Sequence, residues 1–131
     1  MRVAKNSVDV KMEIPGAVLR QELEFGNVRG FDKISGEYFS LASGVDTTPL
    51  FQGLDGNACQ CPHWGFVLQG RITTTDAKGE RETVNKDDLF YWPPGHNISV
   101  EDDAEIVMFS PQQAHTRVID HMKEKVSPSQ A

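Results

Sequence analysis

The chain is cut into short pieces by turn-forming residues, and this punctuation limits its fold more than any other feature. Gly16, Gly26-Asn27, Gly30, Gly36, Gly44, Gly53, Gly56-Asn57, Gly70, Gly79 and Pro93-Pro94-Gly95 interrupt the sequence at short intervals. Between them lie runs rich in β-branched and aromatic residues, at 37–42, 65–75, 80–84, 89–92, 97–101 and 105–110. Short strands separated by turn signals every roughly 8–12 residues are the pattern of an all-β sandwich or barrel. No sustained helical period precedes residue 110, which argues against the βαβ alternation of a parallel sheet. Asp76-Ala77-Lys78-Gly79 reads as a hairpin loop, its glycine free to take positive φ. Residues 1–30 alternate weakly and are read as one or two edge strands.

One helix is expected at the C-terminus, over about 111–126. Ser110-Pro111-Gln112-Gln113 supplies an N-cap, a proline at the first helical position and a glutamine at N3. Val118, Ile119, Met122 and Val126 then recur at helical spacing and give the helix one apolar face. His115 and His121 are six apart, about 240° around a helix. They share no face and are read as solvated. The polar tail 127–131 is read as frayed. No repeat, low-complexity tract or linker divides the 131 residues, so one domain is expected over 1–131.

Composition narrows the function classes. With 38% hydrophobic and 24% charged residues, a chain of this length buries a core without staples. The balance of 19 acidic against 13 basic residues, a net charge of -6, argues against a nucleic-acid partner. Apolar runs fall far short of the roughly 20 residues that span a bilayer. Residues 1–10 carry no apolar signal-peptide core. A cytoplasmic protein without a membrane partner is the expectation.

Only two cysteines are present, Cys59 and Cys61. That is too few for a disulfide scaffold. Extended residues two apart sit about 6.6 Å from each other, near the limit for a bridge, so both thiols are expected to be reduced. They lie in Cys59-Gln60-Cys61-Pro62-His63-Trp64, and thiol and imidazole are the ligands that zinc, iron, nickel and copper prefer. In a strand, 59, 61 and 63 point to one side. A straight strand separates 59 from 63 by roughly 13 Å, so both reach one ion only if the chain bends, and Pro62 is the place for a bend. The closer pair, Cys61 and His63, is easier to place. A buried pair of core thiols is the plain alternative, but both cysteines and one of the 4 histidines fall within five residues. A second segment, Asp87 to His96, runs through Pro93-Pro94-Gly95 and delivers His96 to the mouth of whatever the strands enclose. Trp64, Phe66, Tyr91 and Trp92 cluster at the two segments, as pocket lining or as core or dimer contacts.

Together these segments resemble the cupin superfamily of double-stranded β-helix, or jelly-roll, barrels. His63-Trp64-Gly65-Phe66-Val67-Leu68-Gln69-Gly70-Arg71 is similar to the strand and turn of the family's first motif. Lys86-Asp87-Asp88-Leu89 with Trp92-Pro93-Pro94-Gly95 is similar to the second. The likeness covers about 37–110. It implies an all-β cupin barrel followed by the C-terminal helix, a divalent metal, a small-molecule ligand or substrate, and a homodimer. The family's usual ligands are not kept. Its glutamate position falls on His63, its second histidine on Cys59, its first on Asn57 and its last on Ile98. A rearranged set of Cys59, Cys61, His63 and His96 is expected instead. Such a set suits zinc, with iron, copper, nickel or manganese as alternatives. The alignment favours Cys59 as ligand and strand geometry favours Cys61. Two functions follow: a metal-dependent enzyme acting on a small polar molecule, or a non-catalytic binding or sensing module with a structural metal or none. A closed four-ligand set would argue for the second, because it leaves no open position.

Overall fold

The computed structural model describes residues 1–126. The expected tail at 127–131 lies outside them. Seven strands form one antiparallel sheet: β1 (Val10–Ile14), β2 (Ala17–Glu22), β3 (Ile34–Leu41), β4 (His63–Thr75), β5 (Arg81–Asn85), β6 (Leu89–Trp92) and β7 (Asn97–Pro111). A C-terminal helix, α1 (Gln112–Val126), follows. The strand order is β1-β2-β3-β7-β4-β5, with β6 added to β4. β7 is the hinge of the arrangement, since one part pairs with β3 and β4 flanks it on the other side. The outermost strands do not pair with each other among the described residues, so the sheet coils around its core without closing.

Period-two alternation explains what faces that core. On β3, Ser35, Glu37, Phe39 and Leu41 are buried while their neighbours are half-exposed. On β7, Ile98, Val100, Ala104, Ile106 and Met108 turn inward. Val67 and Ile72 of the neighbouring β4 stand beside Ile106 and Val100 in the register, and each buried Val, Ile or Met contributes roughly 1.5–3 kcal/mol on burial.

Several boundaries differ from the sequence reading. The runs 97–101 and 105–110 are one strand, β7, which continues through Glu101, Asp102 and Asp103, all three exposed. Asp102 stands opposite Arg71, 3.5 Å from its guanidinium. Across from it β4 bulges at Gly70, which has φ +89°. A Cβ there would stand 2.2 Å from the carbonyl oxygen of Asp103, so only glycine fits. Residues 1–30 supply two strands, of which only β1 is an edge; β2 is paired on both sides. The hairpin loop forms as expected, with Asp76 accepting from Gly79 at 3.0 Å and Gly79 at φ +82°.

The start of the helix is a correction. Ser110 is not its cap but a buried residue of β7 whose hydroxyl donates to Glu37, and the helix begins at Gln112. His115 is also a correction. It is buried, 2% exposed, because His115, Val118, Ile119 and Met122 form one i, i+3, i+4, i+7 face that docks on the core. His121 is half-buried and donates to the carbonyl of Gln52 at 2.7 Å.

Candidate metal centre

Backbone hydrogen bonds hold the two sequence segments together. The Cys59 N–H donates to the carbonyl of His96 at 2.9 Å, and the Cys59 carbonyl accepts from Gly95 at 2.7 Å and from His96 at 3.3 Å. The Pro-Pro-Gly turn is thereby clamped to the chain just ahead of β4. His63 opens β4 opposite Trp92 of β6. Residues 60–62 are not part of a strand. The chain bends through them and brings Cys59 Sγ to 3.5 Å from Nε2 of His63. Ligand atoms of Cys59, His63 and His96 all lie within 4.8 Å of one another, and all three residues are buried.

Cys61 is not brought to this cluster. Its side chain is buried against the carbonyls of Pro62, at 3.3 Å, and Pro111, at 3.8 Å. The reason is the same bend, because outside a strand residues 59 and 61 no longer share a direction. Both thiols are free.

Hydrogen bonds also fix which ring nitrogens are available. Ser110 Oγ donates its one hydrogen to Oε1 of Glu37 at 2.8 Å. It therefore accepts from Nδ1–H of His63, at 2.7 Å. His63 is left with a lone pair on Nε2, the atom facing Cys59. His96 donates through Nδ1 to the carbonyl of Pro93 at 2.7 Å. That leaves its Nε2 free as well. An Nδ1–H anchored to a carbonyl or to a carboxylate-backed hydroxyl is the usual outer support of an imidazole that ligates through Nε2.

A second cluster shares His63. Ligand atoms of Glu37, His63 and His115 also lie within 4.8 Å of one another. Here the hydrogen bonds are already complete. Glu37 accepts from Ser110, from Ser35 at 2.9 Å, from Gln21 at 3.2 Å and from Nδ1 of His115 at 2.5 Å. Four donors thus converge on the carboxylate, three on Oε2 and one on Oε1. This network needs no ion, whereas in the Cys59–His63–His96 cluster Nε2 of His63 meets only the weak thiol donor of Cys59, at 3.5 Å, and Nε2 of His96 has no protein partner among the described residues.

Burial sets the charge state of the first cluster. Desolvation pushes the Cys59 thiol up to about 12, and it raises Cys61 as well, with Cys59 and Glu37 adding to the effect. Desolvation holds His63 well below its ordinary value, with the neighbouring His115 and His96 adding to the effect. Burial likewise lowers His96 to about 4, against the opposing bond to Pro93. The imidazoles are thus neutral at pH 7, as metal ligation requires, while the thiol must give up its proton to a metal.

The cluster borders a cavity of about 60 Å³ inside the coiled sheet. Cys59, His63, His96, His115 and Trp92 line one part of it, and the remainder is apolar apart from Thr47. Of the four aromatic residues expected at a pocket, Trp92 is in this wall. Trp64, Phe66 and Tyr91 line a groove on the outer face with Leu89 and Phe109. Alternation is the reason: Phe90 and Trp92 turn inward and Leu89 and Tyr91 outward. Trp64 and Tyr91 stack at 5.4 Å between ring centroids.

Glu37, Ser110 and His115 escaped the sequence reading. Two of them carried a signal. Glu37 has the same parity as Phe39 and Leu41, and His115 starts the apolar i, i+3, i+4, i+7 series of α1. Nothing local marks Ser110, which reads equally well as a helix cap.

No protein-family profile and no curated protein matches the sequence. Solved structures do resemble it. An RmlC-like cupin from Shewanella frigidimarina has a TM-score of 0.54 and 14% identity over 83% of this chain and 88% of its own. The fold is the cupin fold. The polyketide cyclase RemF from Streptomyces resistomycificus has a TM-score of 0.57 and 19% identity, covering 85% of this chain and 78% of the cyclase. Oxalate decarboxylase from Lactobacillus farciminis has a TM-score of 0.55 and 19% identity, over 81% of this chain. The chain spans only 31% of that enzyme's length. On this fold, then, one rim of the coiled sheet carries a thiol and two imidazoles beside an interior cavity.

Proposed function

We propose that this cupin, read as one domain over 1–131, is a metal-dependent enzyme acting on a small molecule, with Cys59, His63 and His96 holding a divalent ion. One observation carries the reading. Zinc at about 2.3 Å from sulfur and about 2.05 Å from nitrogen, in tetrahedral geometry, places those two atoms about 3.6 Å apart. Cys59 Sγ and His63 Nε2 stand 3.5 Å apart. Three protein ligands beside a cavity are the arrangement of a catalytic site, in which the fourth position belongs to water or substrate. Zinc fits one thiolate and two imidazoles best, with iron, copper, nickel or manganese as the alternatives.

Bound there, the metal would supply Lewis-acid polarisation of a substrate oxygen or an activated water. The chain's own residues do the rest. Ser110 and Glu37 hold the tautomer of His63, and the carbonyl of Pro93 holds that of His96. The apolar walls exclude bulk water. A non-catalytic binding or sensing module is the second reading, and the small volume of the cavity, about 60 Å³, favours it. No described helix is long and apolar enough to cross a membrane, and free thiols suit the reducing cytoplasm. Trp64, Leu89 and Tyr91 are exposed on one outer face, and we assign that face to a homodimer.

Elemental analysis of the purified protein tests the central claim. About one equivalent of metal per chain is expected, with less than about a tenth after chelation. A cobalt-substituted sample should show a thiolate charge-transfer band that changes when azide is added. A band that ignores azide gives the site to the structural reading, and absence of any metal binding overturns both.

A further inference from the structure

We propose that the segment 48–58 is the gate of the interior cavity, an Ω-loop that swings on two fixed ends with His121 of α1 as its latch. As a route for substrate this rests on the enzyme reading above; as a property of the loop it stands without a metal.

A gate is needed because the centre is shut. Cys59, His63 and His96 are 1%, 3% and 3% exposed, so a molecule from solvent reaches them only when a wall moves. Most walls do not yield cheaply. Met12, Leu19, Phe39 and Met108 stand on strands of the sheet, and parting a strand breaks its ladder of backbone hydrogen bonds. The wall that carries Leu50 and Phe51 lies outside the seven strands.

Both ends of this wall are fixed to one short stretch, 96–98. Thr47 donates its N–H to the carbonyl of Ile98 at 3.0 Å, and its hydroxyl oxygen accepts from the Ile98 N–H at 2.9 Å. Cys59 pairs with His96 through the backbone. The chain between these anchors leaves and returns at nearly the same place, as an Ω-loop of roughly 6–16 residues does.

Within the loop the bonds are its own. Leu54 donates to the carbonyl of Phe51, Asn57 to that of Leu54, and Gly53 to the side-chain oxygen of Asn57 at 3.0 Å. The loop therefore moves as one body. Beyond the flanking residues 46–47 and 59–60, two hydrogen bonds tie it to the sheet and helix among the described residues. Asn97 donates to the carbonyl of Asn57 at 3.1 Å, beside the fixed ends. His121 donates to the carbonyl of Gln52 at 2.7 Å, far along the loop, and is the latch. Gly53 beside it has φ +97°, and a Cβ there would stand 3.1 Å from Cε1 of His121. Phe51, 5% exposed, closes the cavity and leaves with the loop. A segment with few long-range bonds opens locally at less than the cost of global unfolding.

The two thiols provide the test. Cys59 lines the cavity and Cys61 does not, so opening the loop exposes the first alone. The chain, freed of metal by chelation, is treated with iodoacetamide at about pH 8, and initial alkylation at each cysteine is read by tandem mass spectrometry. Cys59 is expected to react at least about tenfold faster than Cys61. His121→Ala removes one hydrogen bond of the closed loop and should speed Cys59 about fivefold. Gly53→Ala places a side chain on left-handed backbone and should speed Cys59 about tenfold. Val84→Ala, a core change in β5 away from the cavity wall, should speed Cys61 through global unfolding and leave Cys59 unchanged. If Gly53→Ala fails to fold, His121→Ala and the ratio of the two thiols in the parent chain decide. Equal rates at the two cysteines of the parent, acceleration of Cys59 by Val84→Ala as large as that of Cys61, or no acceleration of Cys59 in His121→Ala overturns the proposal. Amide exchange showing that α1 opens as often as Cys59 is exposed would make the helix the gate and overturn it too. Because the sample is metal-free, failure here leaves the metal reading standing, and absence of metal binding leaves this result standing.

Discussion

His63 belongs to two clusters of nearly equal compactness, and they differ in how their polar atoms are satisfied. Toward β3 and α1, Glu37 and His115 complete a hydrogen-bonded network with Gln21, Ser35 and Ser110. Toward the Pro-Pro-Gly turn, Cys59 and His96 are positioned by their backbones and leave lone pairs facing inward. Proximity of ligand-type residues is therefore a poor guide to a metal site. What separates the two is the strength of the bonds their polar atoms already make: several oxygen and nitrogen donors on the Glu37 carboxylate, against a weak thiol contact at His63 and no protein partner at Nε2 of His96 among the described residues. A strongly bonded network orders the core, and a weakly bonded one is readily completed by something else.

The largest expected effect breaks the second cluster alone. His63→Ala or Cys59→Ser should reduce bound metal from about one equivalent to below about a tenth, while Cys61→Ser leaves it unchanged. Elemental analysis of the three variants checks this. Loss of metal in Cys61→Ser would restore the four-ligand set.

Next comes the satisfied network. His115→Leu leaves the Glu37 carboxylate buried without its nitrogen partner, and should cost about 3–5 kcal/mol in urea unfolding of the metal-free protein. Bound metal in the folded fraction should stay near one equivalent. A large stability loss without loss of metal separates the clusters; the reverse outcome would make His115 a ligand.

Acid should act on both clusters, and the sign follows from burial. In the metal-free protein His96 titrates near 4 when folded and near 6.5 when unfolded. Above about 6.5 neither state takes the proton, and stability is full. Between about 6.5 and 4 the unfolded chain takes a proton that the folded chain refuses, so stability falls, by on the order of 3 kcal/mol from this group. His63 acts in the same direction. Cys59, raised to about 12, costs stability on the alkaline side, from about 9 upward. Urea midpoints from pH 4 to 10 should trace a plateau between about 6.5 and 9. A midpoint that does not fall between pH 6.5 and 4 would show that these imidazoles are not buried neutral.

The sequence made the strands, the hairpin and the C-terminal helix legible, because alternation and turn residues are local signals. It also made Cys59, His63 and His96 legible as ligand types. It did not show which thiol reaches His63. That depends on the bend at 60–62, which is set by the pairing of Cys59 with His96 across 37 residues of chain. The network around Glu37 was hidden for a similar reason. Gln21, Ser35, Glu37, Ser110 and His115 come from β2, β3, β7 and α1, and none is a ligand motif on its own strand. The polarity of His115 points to solvent while its place in the apolar series of α1 points to the core, and the second prevails.

The smallest expected effect joins the clusters instead of separating them. Ser110 is the single atom bridge from Glu37 to His63, taking the Nδ1–H of the imidazole and giving its own hydrogen to the carboxylate. Ser110→Ala removes both bonds with little change in volume, and His63 then loses the partner that fixes its tautomer. Outer-sphere partners of this kind are worth about 10–100-fold in metal affinity. Ser110→Ala should therefore weaken metal binding by about tenfold, read from competition with a chromophoric chelator, while leaving one site per chain. Thr at the same position keeps the hydroxyl and should recover most of the affinity. If Ser110→Ala binds metal as tightly as the parent chain, the two clusters act independently, and Glu37 serves the packing of α1 alone.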